Sequence, residues 1–270
     1  MHNAATLGAV SHRYQFAGAA VSLVTHDGGR VLPRHAHSAS SLTVVLGGEY
    51  GEDIEGRYRV VPPMNAALKP AGILHSNKFG RRGALCLLIE LQATTIESLV
   101  GASAALEVPR TVSSGPASTS AIELALELRR EPLEPLAVES LTAECLSFVA
   151  RQADLGEPEG SASWLSRIRD VLHDPHTTRL GIRALAAEVG YHPAYVSRAF
   201  RRRFGISIGQ YARRVRLART ARALVVDTDC PLSSIALAAG YQDHSHMSND
   251  FRARIGTTPS DWRRFVIRRD

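Results

Sequence analysis

The 270-residue chain has only three cysteines, Cys86, Cys145 and Cys230. They are odd in number, far apart and in no metal-like spacing. That excludes a disulfide scaffold and points to small buried side chains in a reducing compartment. No run of about 18 apolar residues is present, so no membrane-spanning helix and no membrane partner are expected. The opening stretch MHNAATLGAVSHRYQF lacks a charged segment followed by an apolar one. No secretory signal is therefore expected, and the cytoplasm is the expected location. Residues 161–270 contain no lysine: all 19 of their basic side chains are arginine.

The apolar fraction is 44%, enough for core-forming domains, and the length leaves room for about two of them. Charge is distributed unevenly. Residues 1–160 carry 13 basic and 17 acidic side chains, whereas residues 161–270 carry 19 basic and 9 acidic ones. A basic half beside a mildly acidic half suggests that one binds phosphates and the other does something else.

Residues 20–92 read as short strands: VSLVT, SLTVVL, YRVV, NAALKP and LCLLIEL, rich in Val, Ile, Leu and Thr. Gly28-Gly29, Gly47-Gly48, Glu55–Arg57 and Gly80–Gly83 are the expected turns between them. Short strands at near-regular spacing suggest an all-β barrel or sandwich over 1–117. Residues 118–153 then give two helices broken by Pro132 and Pro135, the longer one over Leu136–Ala153. This pair either packs on the barrel or forms a dimer interface, since periodicity does not distinguish the two. Residues 154–163 (DLGEPEGSAS) read as a linker, and 164–270 as continuous helices, the first over Trp164–Asp174 before Pro175.

The basic half contains one pattern twice. LAAEVGYHPAYVSRAFRRRFG (Leu185–Gly205) and IALAAGYQDHSHMSNDFRARIG (Ile235–Gly256) each give a small-residue helix, a Gly-Tyr turn and a second helix. That is a helix-turn-helix written twice, which points to double-stranded DNA as the partner. In the first copy Val196, Phe200 and Phe204 should face inward and Ala194, Ser197, Arg198, Arg201 and Arg202 outward. Short side chains let the helix approach the groove floor, and Arg198 can bond a guanine's O6 and N7 together. Arg201 and Arg202 suit phosphates. In the second copy Asp243 is the expected N-cap, with Met247 and Phe251 inward. His244, Ser245, Ser248 and Asn249 should face out, with Arg252 towards a phosphate. Asn249 stands in the slot of Arg198, and Asn pairs with adenine, so the two copies should read different bases. Between them Ile208–Val226 reads as one helix with five arginines, about 28 Å long at 1.5 Å per residue. One turn of B-DNA advances about 34 Å, so this helix could set two recognition helices into successive major grooves.

Over about Trp164–Arg264 the chain resembles the AraC/XylS family of bacterial transcription regulators. The likeness rests on IRALAAEVGYHPAYVSRAFRRRFGISIGQYARRVRLARTARALV and PLSSIALAAGYQDHSHMSNDFRARIGTTPSDWR, with the closing Gly256, Pro259, Trp262 and Arg263. It implies two helix-turn-helix subdomains joined by one helix. Ser248–Phe251 reads Ser-Asn-Asp-Phe where that family usually has Ser-Arg-x-Phe, which leaves the second copy's base preference open. The resemblance also implies an N-terminal cupin-like barrel (jelly roll) that binds a small-molecule effector or dimerises. A homodimer is then the expected assembly, and RNA polymerase a further candidate partner.

Gly29-x5-His35-x-His37 and Pro70-x-Gly72-x2-His75 look like pieces of the two cupin motifs. In cupin metalloenzymes two His and a Glu of the first motif join a His of the second around iron, manganese or zinc. Here Ser41 and Leu42 stand at the glutamate's spacing. His35, His37 and His75 either form an open site for a divalent transition metal or serve as polar groups at the barrel mouth. No cofactor is required by the second reading, and no catalytic constellation surrounds the histidines. Arg34, His35, His37 and His75 are the expected effector contacts, and imidazoles titrating near neutrality would make the response pH-sensitive. The expected function is a ligand-responsive, non-enzymatic transcription regulator. The alternatives are a cupin metalloenzyme fused to a DNA-binding tail, and a constitutive DNA binder whose barrel only dimerises.

Overall fold

The computed structural model describes residues 8–100, 107–113, 115–153, 163–174 and 181–268. The N-terminal half is one eight-stranded sheet. Its strands are β1 (Ala9–Phe16), β2 (Ala19–His26), β3 (Val31–His35), β4 (Ser40–Ile54), β5 (Arg57–Val61), β6 (Ala66–Lys69), β7 (His75–Leu91) and β8 (Arg110–Val112). Helix α1 (Ala93–Val100) lies between β7 and β8. The order is β1-β2-β7-β4-β6-β8, with β3 also on β7 and β5 also on β4, and every pairing is antiparallel.

Gly28-Gly29 and Glu55-Gly56 do turn the chain. The turns expected at Gly47-Gly48 and Gly80–Gly83 are absent: β4 and β7 run straight through both sites. Gly48 has φ +85°, and a Cβ there would clash with the Gly83 carbonyl oxygen. The pairing register shifts on either side of this glycine, between Val45 and Gly47 and between Gly48 and Tyr50. These glycines therefore let two long strands approach closely at a bulge.

Period-two alternation sorts β4 and β7 into two faces. Leu42, Val44, Leu46, Leu85, Leu87 and Ile89 are buried in the main core against helices. Ser41, Thr43, Cys86, Leu88 and Glu90 line a cavity on the opposite face. Val24 of β2 and Lys69 of β6 line the same cavity, so the sheet curls round it.

Helices α2 (Pro116–Glu127) and α3 (Pro135–Ala153) follow. Pro116 and Pro135 open them because a first-turn residue needs no N–H partner. The pair therefore begins two residues before 118. Pro116–Ile122, Leu124 and Ala125 of α2 are all buried within this chain, in the core shared with the sheet. The proposed linker lies outside the described residues over 154–162, as does Pro175; Ser163 already opens α4 (Ser163–His173).

The rest is helical: α5 (Ile182–Val189), α6 (Pro193–Phe204), α7 (Ile208–Val226), α8 (Leu232–Ala238), α9 (His244–Ile255) and α10 (Pro259–Arg268). α4, α5 and α6 with the start of α7 form a separate core around Ile168, Leu185, Phe200 and Tyr211. The second helix-turn-helix has no such independence. Leu224 of α7, Ile235 of α8, Phe251 of α9 and Trp262 of α10 belong to the core that also holds the sheet and α2.

Candidate nucleic-acid interface and barrel cavity

The first helix-turn-helix is held by its glycines and its apolar stripe. Gly190 (φ +74°) ends α5 and Gly205 (φ +81°) ends α6, both in the left-handed conformation that favours glycine. Pro193 occupies the first turn of α6, and His192 caps it by accepting from the Ala194 N–H at 3.3 Å. Val196, Phe200 and Phe204 are buried, with Phe200 and Phe204 packed on the Tyr211 ring. Ala194, Ser197, Arg198, Arg201 and Arg202 are all exposed, one stripe at helical spacing. Tyr191 of the Gly-Tyr turn and Tyr195 stand half-exposed beside this stripe and pack on Trp164.

In the second motif Asp243 caps α9 by accepting from the His246 N–H at 2.7 Å. Met247 and Phe251 are buried. His244, Ser245, Asn249 and Arg252 are exposed, while Ser248 is half-buried with its hydroxyl 3.1 Å from His244 Nε2. Arg254, in the last turn, turns away from this face to pair with Glu123 of α2 at 2.9 Å.

The arginines of α7 are largely engaged inside the protein. Arg214 is buried, donating to Ser120 Oγ at 3.0 Å and to Glu144 at 2.6 Å. Arg216 lies over the Tyr241 ring and Arg219 donates to the His173 carbonyl. Arg213 is 3.6 Å from Asp250, and Arg222 is exposed. α7 is therefore a spacer anchored to the N-terminal half more than a phosphate-binding rod.

The cavity gathers His35, His37 and His75: one ring nitrogen of each lies within 4.8 Å of the others. His35 and His75 face each other across the β3–β7 pairing. Nδ1–H of His35 donates to the Pro33 carbonyl at 2.7 Å, and Nδ1–H of His75 to that of Ile73 at 2.9 Å. Those bonds commit Nδ1 of both rings and leave Nε2 of each as the nitrogen available to a ligand. Burial first, then the neighbouring His35, His75 and Lys69, pulls His37 down to about 4; burial and Lys69 pull His75 down to about 4. Both are neutral at physiological pH, so the expectation that they titrate near neutrality is corrected. Three clustered imidazoles, two of them oriented by backbone carbonyls, are a donor set that fits a divalent transition metal. Arg34 is exposed and not among the cavity-lining residues: the register shift between Leu32 and His35 puts both of those on the cavity face and turns Arg34 away from it.

The floor was not foreseen. Glu52, fully buried, accepts from Arg59 Nε (2.6 Å), Lys69 Nζ (3.0 Å) and Tyr50 Oη (3.3 Å). Tyr50 Oη in turn accepts from Lys69 Nζ at 3.2 Å and Asn77 Nδ2 at 2.8 Å. Burial pushes the Glu52 carboxyl up, but Lys69 and Arg59 outweigh it and hold it below the usual carboxylate range. Burial pulls Lys69 down, but Tyr50 and Glu52 outweigh it and raise it. Both stay charged. The sequence signal was a lysine closing the apolar strand AALK, with Ser41 and Thr43 alternating with Leu42 and Val44.

Residues 185–264 match a family model described as a helix-turn-helix domain, of AraC type. Similar curated proteins include the uncharacterized HTH-type transcriptional regulator YisR of Bacillus subtilis, 30% identical over 36% of this chain and 34% of its own length. The HTH-type transcriptional activator AarP of Providencia stuartii is 31% identical over 32% of this chain and 64% of its own length. The chain thus covers about a third and under two thirds of these relatives. Among solved structures, a cupin superfamily protein from Desulfitobacterium hafniense overlaps 31% of this chain and 75% of its own, at 18% identity and a TM-score of 0.29. No described helix is long and apolar enough to cross a membrane.

Proposed function

We propose that this chain, which carries an AraC-type helix-turn-helix domain over residues 185–264, is a sequence-specific DNA-binding transcription regulator and not an enzyme. The observation that carries the reading is the exposed stripe Ala194, Ser197, Arg198, Arg201 and Arg202 on a recognition helix capped at both ends. Arg198 would read a base edge and Arg201 and Arg202 would hold phosphates. His244, Ser245, Ser248, Asn249 and Arg252 form the second, different face. Two copies of the chain on adjacent half-sites would raise affinity through effective concentration.

The cavity is the effector site in this reading. β4 and β7 carry its wall on one face and, on the other, the core shared with α7–α10. A ligand that favours one placement of those strands would bias the placement of the second helix-turn-helix. A divalent transition metal, if bound, would be held by His35, His37 and His75 and would supply a Lewis-acidic anchor for an effector oxygen. Mapping of DNA bound by the tagged full-length chain in its host tests the reading. Discrete sites sharing one motif support it, and uniform coverage contradicts it.

A further inference from the structure

The polar floor of the cavity has its acceptors filled and its donors left over. Both Glu52 oxygens accept, Oε1 from Arg59 and Oε2 from Lys69 and Tyr50. The Tyr50 hydroxyl accepts twice and donates once. An ammonium has three N–H donors and a carboxamide two. Lys69 uses two of its three and Asn77 one of its two, so each keeps one uncommitted among the described residues. Ser41 pairs with Lys69 across β4–β6, and its hydroxyl also has no bond among the described residues. Lys69 and Ser41 are each 4% exposed and Asn77 5%. All three side chains line the one cavity.

Charge points the same way. Glu52 is the single anion between Lys69 and Arg59, leaving that cluster with one net positive charge. Glu90 also lines the cavity, as Ser41's partner on β7, and Arg13 lies 3.4 Å from it. At the opposite end the rings of His35 and His75 have Nδ1 committed to carbonyls, which leaves Nε2 of each to meet a ligand. The cavity volume is about 40 Å³ to the centre of a water-sized sphere. That is room for about three waters, or a ligand of about five or six heavy atoms.

We infer that the cavity binds a short hydroxycarboxylate, its carboxylate on Lys69, Asn77 and Ser41 and its hydroxyl directed at the imidazoles. This rests on reading the cavity as the effector site. A sugar or a long aliphatic acid exceeds the cavity volume.

The test is calorimetric titration of the full-length chain with glycolate and lactate, against the neutral isosteres glycolamide and lactamide. Saturable binding of at least one acid is expected, weaker by about tenfold or more for its amide, as a lost charge-assisted hydrogen bond requires. Lys69→Met should weaken the acid by a similar factor and leave the amide nearly unchanged. Ser41→Ala, the milder change, gives the same direction if Lys69→Met fails to fold. Equal binding of acid and amide, or no binding of either acid, overturns the inference. Binding of selected duplex DNA by the same preparation separates the two readings. Selective DNA binding without acid binding sinks only the ligand class. Acid binding without selective DNA binding sinks the regulator reading and leaves the ligand class standing.

Discussion

Single side chains decide whether the first recognition helix reads sequence. Arg198 is exposed, whereas the arginines of α7 mostly face protein. Arg198→Ala should therefore lose about 1–3 kcal/mol of discrimination at one base position. Equal weakening on every duplex in a binding assay would assign Arg198 to phosphate instead. His173, which ends α4, is held down to about 4 by burial and then by Arg169 and Arg219. Its folded value lies below its unfolded one, so the unfolded chain binds more protons as pH falls from about 6.5 towards 4. Stability should decline across that window, and His173→Gln should flatten the decline in urea melts run at several pH values. At this scale the sequence was most legible where a pattern had one meaning. Val196, Phe200, Phe204, Met247 and Phe251 are all inward, and Asp243 does cap α9. Arg34 and the Lys69–Tyr50–Asn77 floor were not legible, because they depend on which face of a strand points into a curl made by residues far apart in the chain.

At the scale of elements, glycine misled and proline did not. Pro116, Pro135, Pro193 and Pro259 each open a helix. Gly47-Gly48 and Gly80–Gly83 resemble turns in sequence, yet they are where β4 and β7 cross closely. Without a partner strand in view, a close approach and a turn make the same local demand for glycine. Edge strand β1, short β3 and β8, and α1 carried too little apolar periodicity to be seen. Phe200 joins two rings in the core of the first helix-turn-helix, so Phe200→Ala should cost about 3–5 kcal/mol. A thermal melt of the full-length chain would show it, and a near-neutral change would mean that this core is not cooperative. Arg214 ties α7 to both α2 and α3 through Ser120 and Glu144. Arg214→Met should destabilise the chain by roughly 2–3 kcal/mol, because Glu144 loses its main cation. Unchanged stability in a chemical melt would show that the contact contributes nothing net.

For the whole molecule, the charge asymmetry divides the chain as expected, but the cores do not divide at the same place. The first helix-turn-helix has its own core, while the second shares one with the sheet and α2. Two motifs that look equivalent in sequence are thus unequal in the fold, one separately packed and one resting on the half that holds the cavity. On the proposed function, that inequality would give a ligand in the cavity a physical route to DNA binding through a single helix-turn-helix. It also means that binding is best measured on the full chain, since residues 161–270 alone would expose the apolar side of α7–α10. The most direct measurement is selection of duplexes from a randomised pool by the full-length protein, with the salt dependence of the winners measured afterwards. The account predicts a motif of two unlike half-sites with centres about 10 base pairs apart, bound with a steep loss of affinity as salt rises. A pool that emerges unenriched, or binding indifferent to salt, would contradict it.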